Sequence, residues 1–114
     1  MNTKTIVLNV ELKDDVESIK KYIEYHSDVW PEVIDDLKIN EINRMRIYIK
    51  NNLLTMILEV PEKFNLNDGI HREPPSEKVA EWSKIMTDLA KKNQEETDSW
   101  SETKLIFDTK DYYN

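Results

Sequence analysis

The chain turns on residues Tyr22–Leu37, which read Y-I-E-Y-H-S-D-V-W-P-E-V-I-D-D-L. The stretch holds His26, one of only two histidines, together with Tyr22, Tyr25, Trp30 and Pro31. Tyr22 and His26 are four apart, so on a helix they share a face one turn from each other. Proline has no amide hydrogen and its ring clashes with the turn before it. Pro31 is therefore excluded from a helix interior but suits the first turn of a new helix. The spacing predicts a helix, a break over Ser27–Trp30, and a second helix through Leu37. A histidine at such a break is placed to face a cavity rather than a packed core.

The flanking segments follow from periodicity. Upstream, Thr5–Leu12 alternates Ile6, Leu8, Val10 and Leu12 with Val7, Asn9 and Glu11, the pattern of a strand with one buried face. Asp14 or Asp15 then caps a helix whose core stripe is read as Val16, Ile19 and Ile23. In the second helix, from Pro31 to about Lys38, Val33, Ile34 and Leu37 form the apolar stripe, and Asp35 and Asp36 are assigned to the solvated side. Ile42–Lys50 and Leu53–Val60 read as two strands joined at Asn51-Asn52, because asparagine tolerates positive φ. Pro61–Glu77 is irregular. Ser76 is a helix N-cap, and Val79, Trp82, Ile85, Met86 and Leu89 keep helical spacing to about Lys92. Asn93–Ser99 reads as a polar loop, Trp100–Asp108 as a last strand centred on Leu105, Ile106 and Phe107, and Thr109–Asn114 as a tail.

That order is β-α-β-β-α-β, with the first helix split: an α+β, ferredoxin-like arrangement with helices on one face of an antiparallel sheet. The 114 residues fit a single domain, 1–114, able to bury its own core. With no cysteine there are no disulfides or thiolate metal sites, which agrees with a reducing cytoplasm. Sixteen Lys and Arg against 23 Asp and Glu give a formal charge of −7, which disfavours nucleic acid or an anionic membrane as the main partner. The opening M-N-T-K-T-I-V-L-N-V-E-L does not read as a secretory signal, and no stretch approaches the roughly 18 apolar residues of a membrane span.

The motif Y-x-x-x-H-x-x-V-W-P-E-V from Tyr22 to Val33 resembles the L-rhamnose mutarotase family, small enzymes that interconvert the anomers of 6-deoxy-hexoses. I-N-R-M-R-I-Y-I-K-N-N-L-L-T-M-I-L-E-V resembles the family's paired strands, V-A-E-W-S-K-I-M its second helix and S-W-S-E-T-K-L-I-F its closing strand. The likeness runs from about Thr5 to Asp108. It implies a homodimer in which two sheets pack face to face as a dimeric α+β barrel, a monosaccharide substrate, and no metal or cofactor. Ring opening requires a base for the anomeric hydroxyl and an acid for the ring oxygen. A group titrating near neutrality serves both, and histidine qualifies.

A lone histidine is a weak signal; the surrounding motif is what singles out His26 as the proton carrier. The resemblance further implies substrate contacts from Tyr22 and Trp82, and places Met45 and Ser83 at positions where rhamnose-type members carry a tyrosine and the second tryptophan of a tandem pair. Met45 is similar to the L-fucose branch. That branch, however, has a Pro/Gly-rich loop where this chain has the charged Lys91–Ser99, glycines near Glu41 and Asn51, and phenylalanine at Thr55. Trp30 is read as core. Glu59 and His71 are secondary candidates for orienting a hydroxyl or carrying a proton. Two other classes fit the same residues: a non-catalytic sugar-binding module on this fold, and a cofactor-independent oxygenase of the dimeric α+β barrel group.

Overall fold

In the computed structural model, which describes residues 2–91 and 100–113, the elements follow the expected order. Strand β1 is Thr3–Glu11, helix α1 Val16–Tyr25, helix α2 Pro31–Ile39, strand β2 Arg44–Lys50, strand β3 Leu53–Pro61, helix α3 Glu77–Leu89 and strand β4 Ser101–Glu102. The strands form one antiparallel sheet in the order β2-β3-β1-β4. Leu8 lies opposite Met56 and Met56 opposite Ile47, so the even residues of β1 and β3 and the odd residues of β2 share a face. All three helices cover that face. Leu37 of α2 packs on Ile6, Leu8, Met56 and Leu58, while Tyr22 of α1 and Leu89 of α3 pack on Leu12 and Leu54. Each fully buried aliphatic side chain there contributes about 1.5–3 kcal/mol.

The helix ends are set by local chemistry. Asp15 is the α1 cap: its Oδ1 accepts the amide of Ser18 at 2.7 Å and its Oδ2 accepts the Ser18 hydroxyl at 3.1 Å. These bonds favour the carboxylate and hold its pKa below the usual value. Ser76 caps α3 through its hydroxyl, which accepts the amide of Val79 at 3.3 Å. Helix α2 starts with Pro31 in its first turn and ends in a Schellman motif. There the Glu41 amide bonds Lys38 O at 3.1 Å, the Ile42 amide bonds Leu37 O at 3.0 Å, and Ile42 packs against Leu37. Glu41 takes the left-handed position of that motif at φ 64°, and Asn51 does the same in the β2–β3 hairpin at φ 56°.

Several expectations are corrected. Val16 and Ile23 of α1 are exposed rather than core, at 78% and 50%. The buried stripe runs through Ser18, Ile19 and Tyr22, and Val16 and Ile23 lie about a third of a turn off it. Asp36, expected in solvent, is 3% exposed because it follows Val33 on the buried face of α2. The last strand is much shorter than Trp100–Asp108. After Thr103, whose amide and hydroxyl both bond Val7 O at 2.8 Å, the chain leaves the β1 edge and Leu105, Ile106 and Phe107 are exposed. The expected polar loop at Asn93–Ser99 lies outside the described residues.

The left-handed glutamate gives a stability prediction. A side chain with a Cβ costs about 1–2 kcal/mol in that region, and glycine returns part of the gain as unfolded-chain entropy. Glu41→Gly is therefore expected to stabilise the protein by about 0.5–1 kcal/mol, read as a higher urea midpoint at unchanged slope. A lower midpoint would show that the Glu41 side chain contributes more than its backbone costs.

Candidate active site

A cavity of about 740 Å³ opens between the sheet and the helices, within the size range of small-molecule sites. Its walls include Tyr22 and His26 from α1, Met45 from β2, Met56 from β3, and Trp82 and Ser83 from α3. His71, from the segment before α3, lines it as well. The five site residues singled out in the sequence, His26, Tyr22, Met45, Trp82 and Ser83, thus border one space. Trp30 packs on Trp82 at 5.3 Å between ring centroids. Glu59 is turned away: it lies on the open face of the sheet, 3.7 Å from Arg44 and 3.5 Å from Arg46, out of reach of His26.

His26 is fixed by the way α1 ends. It is the C-cap residue, and its Nδ1 lies 2.8 Å from the carbonyl oxygen of Tyr22. A carbonyl only accepts, so Nδ1 carries the hydrogen and Nε2 keeps a lone pair. The ring stacks on Tyr22 at 4.3 Å and meets Trp82 edge-on at 5.3 Å. Burial between these rings lowers the His26 pKa, and the bond to the Tyr22 carbonyl partly offsets that. The imidazole is therefore neutral near pH 7, with a single basic nitrogen. Burial raises the Tyr22 phenol, so Tyr22 stays protonated and offers an O–H.

Trp82 is the hub of this wall. Besides His26 and Trp30 it contacts Tyr25 edge-on at 5.8 Å, and it is only 5% exposed. What sequence reasoning missed is Asp36. Its Oδ2 accepts Nδ1–H of His71 at 2.8 Å and the amide of Arg72 at 3.3 Å. The signal was available: Val33, Asp36 and Leu37 fall on one helical face. The Lys91–Ser99 difference from the L-fucose branch lies almost wholly outside the described residues.

The fold is that of the small α+β mutarotases. Residues 5–109 match the sequence model of the L-rhamnose mutarotase family, and the chain belongs to that family. It is similar to an L-fucose mutarotase of Xanthomonas campestris pv. campestris, 26% identical over 88 residues that span 75% of this chain and 70% of the relative. A UPF0734 protein of Dictyostelium discoideum is 26% identical over 111 residues, 92% of this chain and 89% of that one. In fold it resembles the L-rhamnose mutarotase FA22100 of Formosa agariphila, with a TM-score of 0.66 and 22% identity over 91% of this chain and 96% of the other.

Because Trp82 is both wall and core, its truncation is expected to act on stability first. Trp82→Ala should destabilise the protein by about 3–5 kcal/mol in urea unfolding. A loss under 1 kcal/mol would show that the aromatic cluster relaxes around the gap and that Trp82 is not a core residue.

Proposed function

We propose that this chain is a mutarotase for a 6-deoxy-hexose such as L-rhamnose or L-fucose, with His26 as the residue that moves the proton at the anomeric centre. The observation that carries this reading is the state of His26: neutral, tautomerically fixed, and bordering the cavity beside Tyr22 and Trp82. As the C1–O5 bond opens, His26 Nε2 takes the proton of the anomeric hydroxyl, while O5 keeps the bonding pair and is protonated; both transfers reverse when the ring closes on the other face of C1. The Trp82 indole suits the C–H faces of a deoxy sugar, and the Tyr22 hydroxyl donates to a sugar oxygen. Met45 and Ser83 contact the substrate where rhamnose-type relatives place aromatics, leaving a wider pocket. No step of this chemistry calls for a metal or a cofactor.

His26→Asn removes the titrating nitrogen and keeps a polar side chain. It should leave the fold intact and reduce exchange between the α and β anomer signals of L-rhamnose or L-fucose by about 10²- to 10⁴-fold, after subtraction of spontaneous mutarotation. A base must be unprotonated, and burial lowers the His26 pKa. Activity should therefore fall with acid along a limb whose midpoint lies below the usual histidine value of about 6.5. Full activity in His26→Asn would remove His26 from the mechanism.

The same reading includes a cytoplasmic homodimer. Its support is the surface left unpartnered: Leu53 and Tyr48 are exposed on the open sheet face beside half-buried Val7 and Ile57, and Leu105, Ile106 and Phe107 project from the end of β4. Such adjoining apolar surface commonly marks an interface. Light scattering at micromolar concentration should give twice the 13.6 kDa chain mass. A monomer at that concentration would overturn the barrel arrangement.

A further inference from the structure

His26 supplies one usable nitrogen, whereas opening a pyranose ring needs a proton removed from O1 and a proton delivered to O5. With Nδ1 committed to the Tyr22 carbonyl, His26 performs the two transfers only in sequence, through the same Nε2. The buried Tyr22 phenol is a poor acid, because burial raises its pKa. The cavity wall holds one other imidazole, His71.

His71 is held by a carboxylate that the fold has every reason to avoid. Asp36 is 3% exposed in the middle of α2, and burying a charge there costs several kcal/mol unless it is well partnered. Its Oδ2 accepts from His71 Nδ1 at 2.8 Å and from the Arg72 amide at 3.3 Å. Among the described residues its Oδ1 has no hydrogen-bond partner, with Arg72 Nε 3.8 Å away. A carboxylate that only tied the loop to α2 would be served as well by Asn or Ser at less cost. A carboxylate at this position does something those residues do not. It accepts at Nδ1 in either protonation state of the ring, so Nε2 is the nitrogen left for the cavity, and it balances the charge of an imidazolium.

We propose that His71, oriented by Asp36, is the second proton-transferring residue of this site and works in concert with His26. The inference rests on the mutarotase reading. On opening, the O1–H proton passes to His26 Nε2 and C1=O1 forms. The C1–O5 bond breaks, its electron pair goes to O5, and O5 takes the proton from Nε2 of the His71 imidazolium. After rotation about C1–C2, O5 attacks the other face of C1, its proton returns to His71, and O1 recovers its proton from His26. Asp36 touches no substrate; it is a positioning residue acting through His71.

His71→Asn separates the two roles. The asparagine amide reproduces the Nδ1–H donor and keeps the bond to Asp36, but it presents no nitrogen at the Nε2 position. The expected result is an unchanged melting temperature and anomer-binding affinity, with kcat for L-rhamnose or L-fucose exchange down about 10²- to 10⁴-fold. Asp36→Asn turns the partner at Nδ1 into a potential donor. The His71 ring ¹⁵N shifts should then report hydrogen on Nε2 only, and kcat should fall at least about tenfold, a loss consistent with a mispositioned acid. A folded His71→Asn variant with parental kcat overturns the proposal and assigns His71 to loop anchoring. So does Asp36→Asn with a flipped tautomer and parental kcat. Both outcomes leave the His26 reading standing, whereas a parent protein that does not accelerate exchange removes both.

Discussion

The bond from His26 Nδ1 to the Tyr22 carbonyl joins the fold to the chemistry. Helix ends leave carbonyls without intrahelical partners, and a histidine at the end is one way to satisfy them. Pro31 starts a separate helix five residues after His26, so α1 stops at Tyr25 and its last turn is left to be capped. His26 ends the helix with both its amide and its ring: the Tyr22 carbonyl accepts the His26 amide at 3.3 Å and Nδ1–H at 2.8 Å. In doing so it fixes its tautomer, turns Nε2 into the free nitrogen, and lays the ring on Tyr22 at 4.3 Å.

This coupling explains which parts of the molecule were legible in the sequence. The alternation of Ile6, Leu8 and Leu12 specified β1 and its buried face, because in a strand each residue's side is fixed by parity; Leu53–Val60 is more uniformly apolar and gave the strand without its buried side. Capping residues were legible for the same kind of reason: Asp15, Pro31 and Ser76 each solve a local backbone problem. The helix faces were harder to read. In α1 the apolar pair Val16 and Ile23 drew the stripe to the wrong flank, and the true stripe includes the small polar Ser18. The terminal segment defeated periodicity altogether: Leu105, Ile106 and Phe107 look like strand core, but β4 pairs with β1 only through Glu102 and Ser101. An apolar run records that surface is to be buried without recording against what.

The site divided along the same line. Tyr22 and His26 carry motif-level information, since four-residue spacing and a proline break set their relation before any tertiary contact forms, whereas Trp82 reaches His26 only when α3 packs on α1. Asp36 and His71 are 35 residues apart and meet only when the segment before α3 folds over α2. Charge misled the reading of Asp36, because an aspartate on a helix is placed in solvent by default. The phase of Val33, Asp36 and Leu37 contradicted that default.

The residues of the site are also residues of the core, and this sets how the family fold can vary. Tyr22 and Trp82 are 7% and 5% exposed, so each contributes packing as well as contact surface. Met45 and Ser83 stand on the wall of the same cavity of about 740 Å³. Lost dispersion around such a space must be met elsewhere. Here it is met by the inner face of the sheet, where Leu54, Leu58 and Val60 are at most 1% exposed, and by the edge-on packing of Tyr25 and Trp30 around Trp82. That ring of contacts holds the indole against His26 from behind. Met45 and Ser83 line the cavity outside this aromatic cluster.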